Sequence, residues 1–133
     1  MKRNQRGFTL VEIMIVVAII ALLAAIAIPG LLRARVNAND ALAQSTLKAV
    51  STAAESFSTT NNGNYPTDVN DLLTAVPPYL NVDYCDTSVT FSGYNFTCVF
   101  ATDSYTITAT PVTIGKTGST IYTIVEGGVL NPS

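Results

Sequence analysis

Histidine is absent from this chain, and cysteine is limited to Cys85 and Cys98. A serine–histidine or thiol–imidazole nucleophile is therefore impossible within it, as is any metal site with a histidine ligand. Two cysteines alone also make a poor zinc site, because structural zinc takes four ligands. Charge is scarce too: Asp, Glu, Lys and Arg make up 12% of the 133 residues while hydrophobic residues make up 48%, a high ratio for one soluble domain of this size. Beyond Val36, positive charge nearly vanishes. Only Lys48 and Lys116 stand there against eight acidic residues, leaving that segment six units negative. Nucleic-acid affinity is dominated by Lys and Arg contacts to phosphate, so this surface is expected to contact no nucleic acid.

The hydrophobic excess is concentrated at the start. A basic leader with Lys2, Arg3 and Arg6 ends at Gly7, and the 21 residues from Phe8 to Ile28 carry a single charge, Glu12. As a helix they would span ~31 Å, the thickness of a bilayer hydrocarbon core. Three readings compete. A secretory signal peptide is suggested by Ala25-Ile26-Ala27, a small-x-small cleavage pattern, but the apolar region is longer than usual and contains an acid. A plain membrane anchor leaves Glu12 as an unexplained cost of about 2.5–3.5 kcal/mol near the bilayer centre, and less near the face. Processing between Gly7 and Phe8 instead leaves Glu12 close to a new amino terminus. A local account of Glu12 is a capping box, with Thr9 bonding the Glu12 N–H and Glu12 reaching back.

The stretch RGFTLVEIMIVVAIIALLAAIAIPG resembles the N-terminal signature of type IV prepilins and type II secretion pseudopilins. That resemblance covers about the first 35 residues. It implies that residues 1–7 are a leader removed by prepilin peptidase, with N-methylation of Phe8. It further implies that residues 8–30 are a transmembrane helix that becomes the filament core, and that residues 31–133 are an amphipathic helix plus a globular head. The partners implied are membrane lipid before assembly, further copies of the chain in a helical filament, an inner-membrane platform and a cytoplasmic ATPase.

The chemistry of Glu12 fits this carry-over. Cleavage after Gly7 creates an α-amino group with a reference pKa near ~8, hence mostly cationic at neutral pH. In a helical stack the Phe8 amine of an incoming chain can approach the Glu12 carboxylate of a subunit already in place. An unpaired charge in a low-dielectric setting is expensive and a bonded pair is tolerated, so such a pair sets register and selects partners.

Pro29 has no N–H for the Ala25 carbonyl and Gly30 adds backbone freedom, so Pro29 and Gly30 are expected to kink or open the helix. A blander reading has them simply end it; the resemblance favours a helix that resumes. After Leu31 the apolar residues Leu32, Val36, Ala43, Leu47, Val50, Ala54 and Phe57 recur with helical spacing, and Asp40 is the one charge near that stripe. Asn37, Ser45, Lys48, Thr52, Glu55 and Ser56 fall on the polar side. The helix should stop near Thr60, at NNGNYP.

The prolines at 66, 77 and 78 exclude a long element from Tyr65 to Asp86, although Asp68 to Val76 can hold a short helix capped by Asp68 or Asn70. Tyr94, Phe96, Cys98 and Phe100 alternate with smaller residues, Tyr105, Ile107 and Ala109 with threonines, and Ser119 to Val125 is rich in β-formers. The expected fold is α+β: a long N-terminal helix on an antiparallel sheet of three or four strands, with Ala101 to Ser104 as a hairpin and Pro111 to Gly118 as a longer connection. Phe91, Phe96 and Phe100 are expected in the core.

Behind a membrane-targeting segment, Cys85 and Cys98 read as a disulfide, with two buried free thiols as the alternative. A disulfide places the C-terminal part on the oxidising side of a single-pass inner-membrane protein. Charge alone orients the helix weakly, since Arg33 and Arg35 follow it. No cofactor is expected. Asp83, Asp86, Asp103 and Glu126 are the candidates for calcium, but they are not densely clustered in sequence. Asn95-Phe96-Thr97 is a glycosylation triplet inside an expected strand.

These readings converge on a non-enzymatic filament subunit, in the inner membrane before assembly and in a cell-surface or periplasmic filament afterwards. A pilin is preferred over a pseudopilin, because a disulfide lies near the carboxyl end and no acidic loop is present. The compact size and NGNYPTDVNDL resemble pseudopilins. A secreted or membrane-anchored binding protein is the reading from a different class.

Overall fold

The structure is a computed structural model that describes residues 7–133; of the expected leader 1–7, residues 1–6 lie outside them. In chain order the elements are α1 (Leu10–Thr60), α2 (Val69–Leu73), β1 (Tyr94–Ala101), β2 (Ser104–Pro111), β3 (Tyr122–Val125) and β4 (Val129–Pro132), with a 3-10 turn at Glu126–Gly128 between the last two. The chain divides into two compact units, up to Ala34 and from Arg35 to Ser133.

The first unit holds the N-terminal part of α1. The helix continues through Pro29 and Gly30 and does not end there. Pro29 removes one backbone donor; a Cβ at Gly30 would meet nothing within 4 Å, so no packing demands glycine at that position.

In the second unit the sheet is antiparallel with strand order β1-β2-β3-β4. The α+β expectation and the four-strand upper bound both hold. Alternation decides the faces, since successive side chains point to opposite sides. Tyr94 and Phe96 of β1, Tyr105, Ile107 and Ala109 of β2, and Tyr122 and Ile124 of β3 are buried. They meet Ala43, Leu47, Val50, Ala53 and Ala54 of α1 in one core, which Leu72 of α2 joins. Phe96 is fully in this core, whereas Phe91 and Phe100 are partly buried against it.

The helical stripe begins later than its period suggested. Leu32 is 52% exposed and Val36 is half-buried, because a repeat reports which residues share a face but not where a partner begins to cover it. Glu55 also departs from the expected polar side: it is half-buried and bonded to the sheet.

Turns behave as their residues require. Asp68 caps α2 through the Asn70 N–H, and Asp71 reaches back to complete a capping box. Ser92 and Gly93 both take positive φ, 52° and 77°, in the two-residue turn where Phe91 and Tyr94 exchange backbone bonds of 2.9 Å. The β1–β2 hairpin closes at the Ala101–Ser104 pair. Strand β4 follows Gly127 and Gly128, whose φ values of 77° and 72° turn the chain back along β3.

Candidate functional site

At the start of α1, Gly7 and Phe8 precede the helix and Phe8 is 86% exposed. The Thr9 N–H and hydroxyl both donate to Glu12 Oε2, at 2.8 and 2.7 Å, and the Glu12 N–H donates to Thr9 Oγ1 at 3.3 Å. The capping box is therefore formed in the isolated chain. It satisfies donors that a helix start otherwise leaves open, and it holds the carboxylate four residues beyond Phe8.

Around this charged start the helix is apolar on every side. From Leu10 to Ile28 the large hydrophobic residues are more than half exposed, and the most apolar window, long enough to cross a membrane, is 0% buried. A helix without a polar face requires lipid or other apolar helices around it, since each such side chain left in water forgoes ~1.5–3 kcal/mol.

Two carboxylates anchor the sheet to the later part of α1. Asp40, 8% exposed, accepts the Tyr94 hydroxyl at 2.7 Å, the Ser119 N–H at 2.9 Å and the Ser119 hydroxyl. Next to it Asn39 Nδ2 donates to the Thr117 carbonyl at 2.8 Å. This ties α1 to the β2–β3 connection. Burial pushes the Asp40 carboxyl up, but the hydrogen bonds from Ser119 and Tyr94 outweigh it and hold it below the usual carboxylate range. Burial and the bond to Asp40 push the Tyr94 phenol well up.

Fifteen residues on, Glu55 accepts the Tyr105 hydroxyl at 2.9 Å, the Tyr65 hydroxyl at 3.1 Å and the Gly127 N–H at 2.8 Å. Tyr105 also shares a 2.7 Å bond with Ser51. Its phenol is pushed up to about 12, chiefly by burial. Glu55 thus ties α1 to the β3–β4 turn. Both carboxylates are bonded by hydroxyl and N–H donors from the sheet and its connections, an arrangement that anchors the sheet to α1.

Cys85 and Cys98 form a disulfide with a Cα–Cα separation of 5.5 Å, joining the loop after α2 to β1. The four candidate calcium ligands lie apart in function. Asp83 accepts the Cys85 N–H, Asp86 accepts the Ser88 N–H and hydroxyl, Asp103 accepts the Ser104 hydroxyl, and Glu126 opens the β3–β4 turn. Among the described residues no three His, Cys, Asp or Glu side chains gather as a metal site would require. Asn95 and Thr97 of the glycosylation triplet lie in β1, as expected.

An apolar anchor helix with a capped acid near its start, resuming as the spine of a small antiparallel head, defines a pilin-like fold. Residues 2–28 match the prokaryotic N-terminal methylation motif. The chain is 48% identical over 60 residues to the type IV wide pilus major component PilA4 of Thermus thermophilus, covering 45% of this chain and 46% of that protein. It is 54% identical over 54 residues to the type IV major pilin protein PilA of Myxococcus xanthus, covering 41% and 24%. It is 38% identical over 66 residues to the type II secretion system core protein G of Aeromonas hydrophila, covering 50% and 46%. The matched segment spans less than half the length of each of these relatives. No solved structure matches the chain significantly. The N-terminal segment of the chain is thus similar to those of type IV major pilins and of type II secretion core protein G.

Proposed function

We propose that this protein is a structural, non-enzymatic subunit of a type IV pilus-like filament. It waits in the inner membrane as a single-pass precursor with its C-terminal part outside the cytoplasm, and polymerises through its N-terminal helix. The observation that carries this reading is the helix from Leu10 to Ile28, apolar on all sides and 0% buried in its most apolar window, with one acid at its start. Such a surface suits lipid first and a bundle of identical helices afterwards. Prepilin peptidase cleaves between Gly7 and Phe8, the Phe8 amine is methylated, and that amine meets Glu12 of a neighbouring copy. Pro29 and Gly30 supply the place where the helix opens as the filament forms. The platform and ATPase of such machines complete the partners, and the reading assigns no cofactor.

Mass spectrometry of the mature amino terminus, combined with electron microscopy of sheared filaments, tests this. The expected result is a chain starting at a methylated Phe8, in filaments. A chain starting at Ile28 would instead mark an ordinary signal peptide, and an unprocessed Met1 a plain anchor. A pseudopilin reading is favoured by the 38% identity to core protein G; filaments confined to the periplasm at native expression would select it.

A further inference from the structure

Charge of the two signs is drawn toward opposite ends of the second unit. Asn39 and Asp40 of α1 hold Thr117 and Ser119, which brings the β2–β3 connection, with Lys116, to the end where the chain enters this unit at Arg35. Arg35 lies one helical turn before Asn39 on the same face of α1, and both Arg35 and Lys116 are exposed. The acid that α1 supplies at this end, Asp40, is buried and bonded to Tyr94 and Ser119. Asp103 and Glu126 occupy the β1–β2 and β3–β4 turns at the other end, where Glu55 bonds Gly127. Asp40 and Glu55 are ~22 Å apart along α1. Asp83 and Asp86 flank Cys85, which the disulfide ties to Cys98 midway along β1.

The β2–β3 connection also presents apolar side chains. Its turn is closed by its own backbone: the Thr113 carbonyl accepts the Lys116 and Thr117 N–H groups at 3.1 and 2.9 Å, and the Gly115 N–H donates to the Gly118 carbonyl at 2.8 Å. The Thr113 N–H donates to Thr117 Oγ1 at 3.0 Å. With its polar backbone turned inward, the loop leaves Val112 53% and Ile114 67% exposed beside Lys116. Two β-branched apolar side chains and two cations thus share the Arg35 end of the head.

We propose that this end of the head rests on an anionic lipid surface before assembly, with Val112 and Ile114 at the headgroup level and Arg35 and Lys116 against lipid phosphate. The proposal rests on the reading of residues 8–30 as a membrane segment. Ile28 and Arg35 are separated by at most ~25 Å of chain even when fully extended, so with that segment in a bilayer the Arg35 end is within reach of its surface. Charge selects the occupant. An anionic surface attracts the end that carries Arg35 and Lys116 and repels the end that carries Asp103 and Glu126, so it orients the head as well as holding it. Apolar side chains flanked by cations suit the boundary between headgroups and acyl chains, where each kind of group finds its own surroundings.

The chain contains no tryptophan, so a single introduced one reports its own surroundings. The full chain carrying Ile114→Trp, or Asp103→Trp at the other end, is reconstituted into vesicles of phosphatidylcholine alone or of an equal mixture with phosphatidylglycerol. Lipids brominated near the headgroup serve as the quencher. In the phosphatidylglycerol vesicles the Ile114→Trp emission should be blue-shifted and quenched roughly twofold or more beyond that of Asp103→Trp. Salt at about 0.5 M, or Lys116→Glu added to Ile114→Trp, should return the quenching to its level in phosphatidylcholine alone. Should Ile114→Trp fail to fold, as circular dichroism reads, Val112→Trp on the same loop decides. Equal quenching of the two tryptophans, or quenching of Ile114→Trp that ignores both lipid charge and salt, would overturn the proposal. A blue shift that grows with chain concentration in detergent, without lipid, would overturn it in favour of a second copy. Flotation of the same vesicles keeps the two readings apart. A chain that does not float with them would remove the membrane segment first and this contact with it, whereas a chain that floats with its Ile114→Trp unquenched would overturn the contact alone.

Discussion

The Asp40 carboxylate accepts the Tyr94 hydroxyl at 2.7 Å across 54 positions of sequence, fixing the first strand of the sheet to the helix that carries it. The same carboxylate holds Ser119 by its N–H and its hydroxyl, so one acid secures both β1 and the β2–β3 connection. Asp40→Asn should lower stability of the detergent-solubilised full chain by about 1–3 kcal/mol, measured by denaturant unfolding, because donors aimed at a charge are left with a weaker partner. The pH dependence follows from the depressed folded pKa. Relative to an unfolded carboxyl near ~3.9, stabilisation by Asp40 is complete above that pH and is lost as pH falls through the lower folded value. Asp40→Asn should therefore show a shallower loss of stability below about pH 4; an unchanged slope would remove Asp40 as the anchor.

Tyr94 and Tyr105 set an opposite limit. Their phenols are raised when folded, Tyr105 to about 12, so the stability they supply is full below the unfolded value near ~10 and is lost as pH rises through the folded values. The unaltered head should begin to lose stability above about pH 10. Tyr105→Phe should flatten that decline while costing about 1–2 kcal/mol at neutral pH, since Glu55 and Ser51 lose a shared partner. Fluorescence or circular dichroism along a pH series reads both effects.

Two glycines should respond in opposite directions. A Cβ at Gly118 would overlap the Tyr94 ring, and that ring is pinned by the Asp40 bond. Gly118→Ala should therefore destabilise the head by about 1–3 kcal/mol. Gly30 lies inside α1 with nothing within 4 Å of a Cβ, so Gly30→Ala should leave the melting of the head unchanged and favour the helix by about 1 kcal/mol. Thermal unfolding and helix content in detergent distinguish the pair. Equal melting temperatures for both variants would contradict the close approach at Gly118.

Local periodicity made much of this fold legible. Ala43, Leu47, Val50 and Ala54 share a helical face, and Tyr94 and Phe96, like Tyr105 and Ile107, share a strand face; each set is buried as its period implied. The capping box at the start of α1 was legible because Thr9 and Glu12 lie within one helical turn of each other. The two anchoring acids were not legible in this way. Asp40 meets Ser119 across 79 positions and Glu55 meets Gly127 across 72, and no local pattern reports such partners. Asp40 did leave a trace, as a charge beside an apolar stripe. Glu55 left none, because its neighbour Ala54 occupies the buried face and a residue 100° away reads as polar. Strand β4 was hard to place because its four residues, VLNP, are too few to show an alternation, and only the positive φ of Gly127 and Gly128 turns them onto the edge of β3.

The disulfide between Cys85 and Cys98 closes a loop with a sequence separation of 13. By loop-closure entropy it should contribute about 3 kcal/mol. Loss of the bond, in a Cys85→Ser and Cys98→Ser double variant, should lower the unfolding midpoint accordingly. Addition of reductant should shift the unaltered chain and leave that variant unmoved. A reductant effect of equal size on both would show that the bond is not its source.

Thr9 and Glu12 allow helix capping and filament assembly to be separated. In the isolated chain Glu12 Oε2 accepts both the Thr9 N–H and the Thr9 hydroxyl. Thr9→Val removes the hydroxyl but keeps the backbone donor and the carboxylate. Glu12→Ala removes the carboxylate altogether. If capping were the whole role of Glu12, both variants would fray the helix start by roughly 0.5–2 kcal/mol and assemble alike. If the Phe8 amine of another copy is its partner, Thr9→Val should yield filaments in near-normal number, while Glu12→Ala should be processed after Gly7 yet assemble poorly. Immunoblots for the processed chain and filament counts by microscopy give the two readouts. Normal filaments from Glu12→Ala would refute the intermolecular role. A Glu12→Asp variant sharpens the comparison, because it keeps the charge but shortens its reach by one methylene, so assembly should fall between the other two.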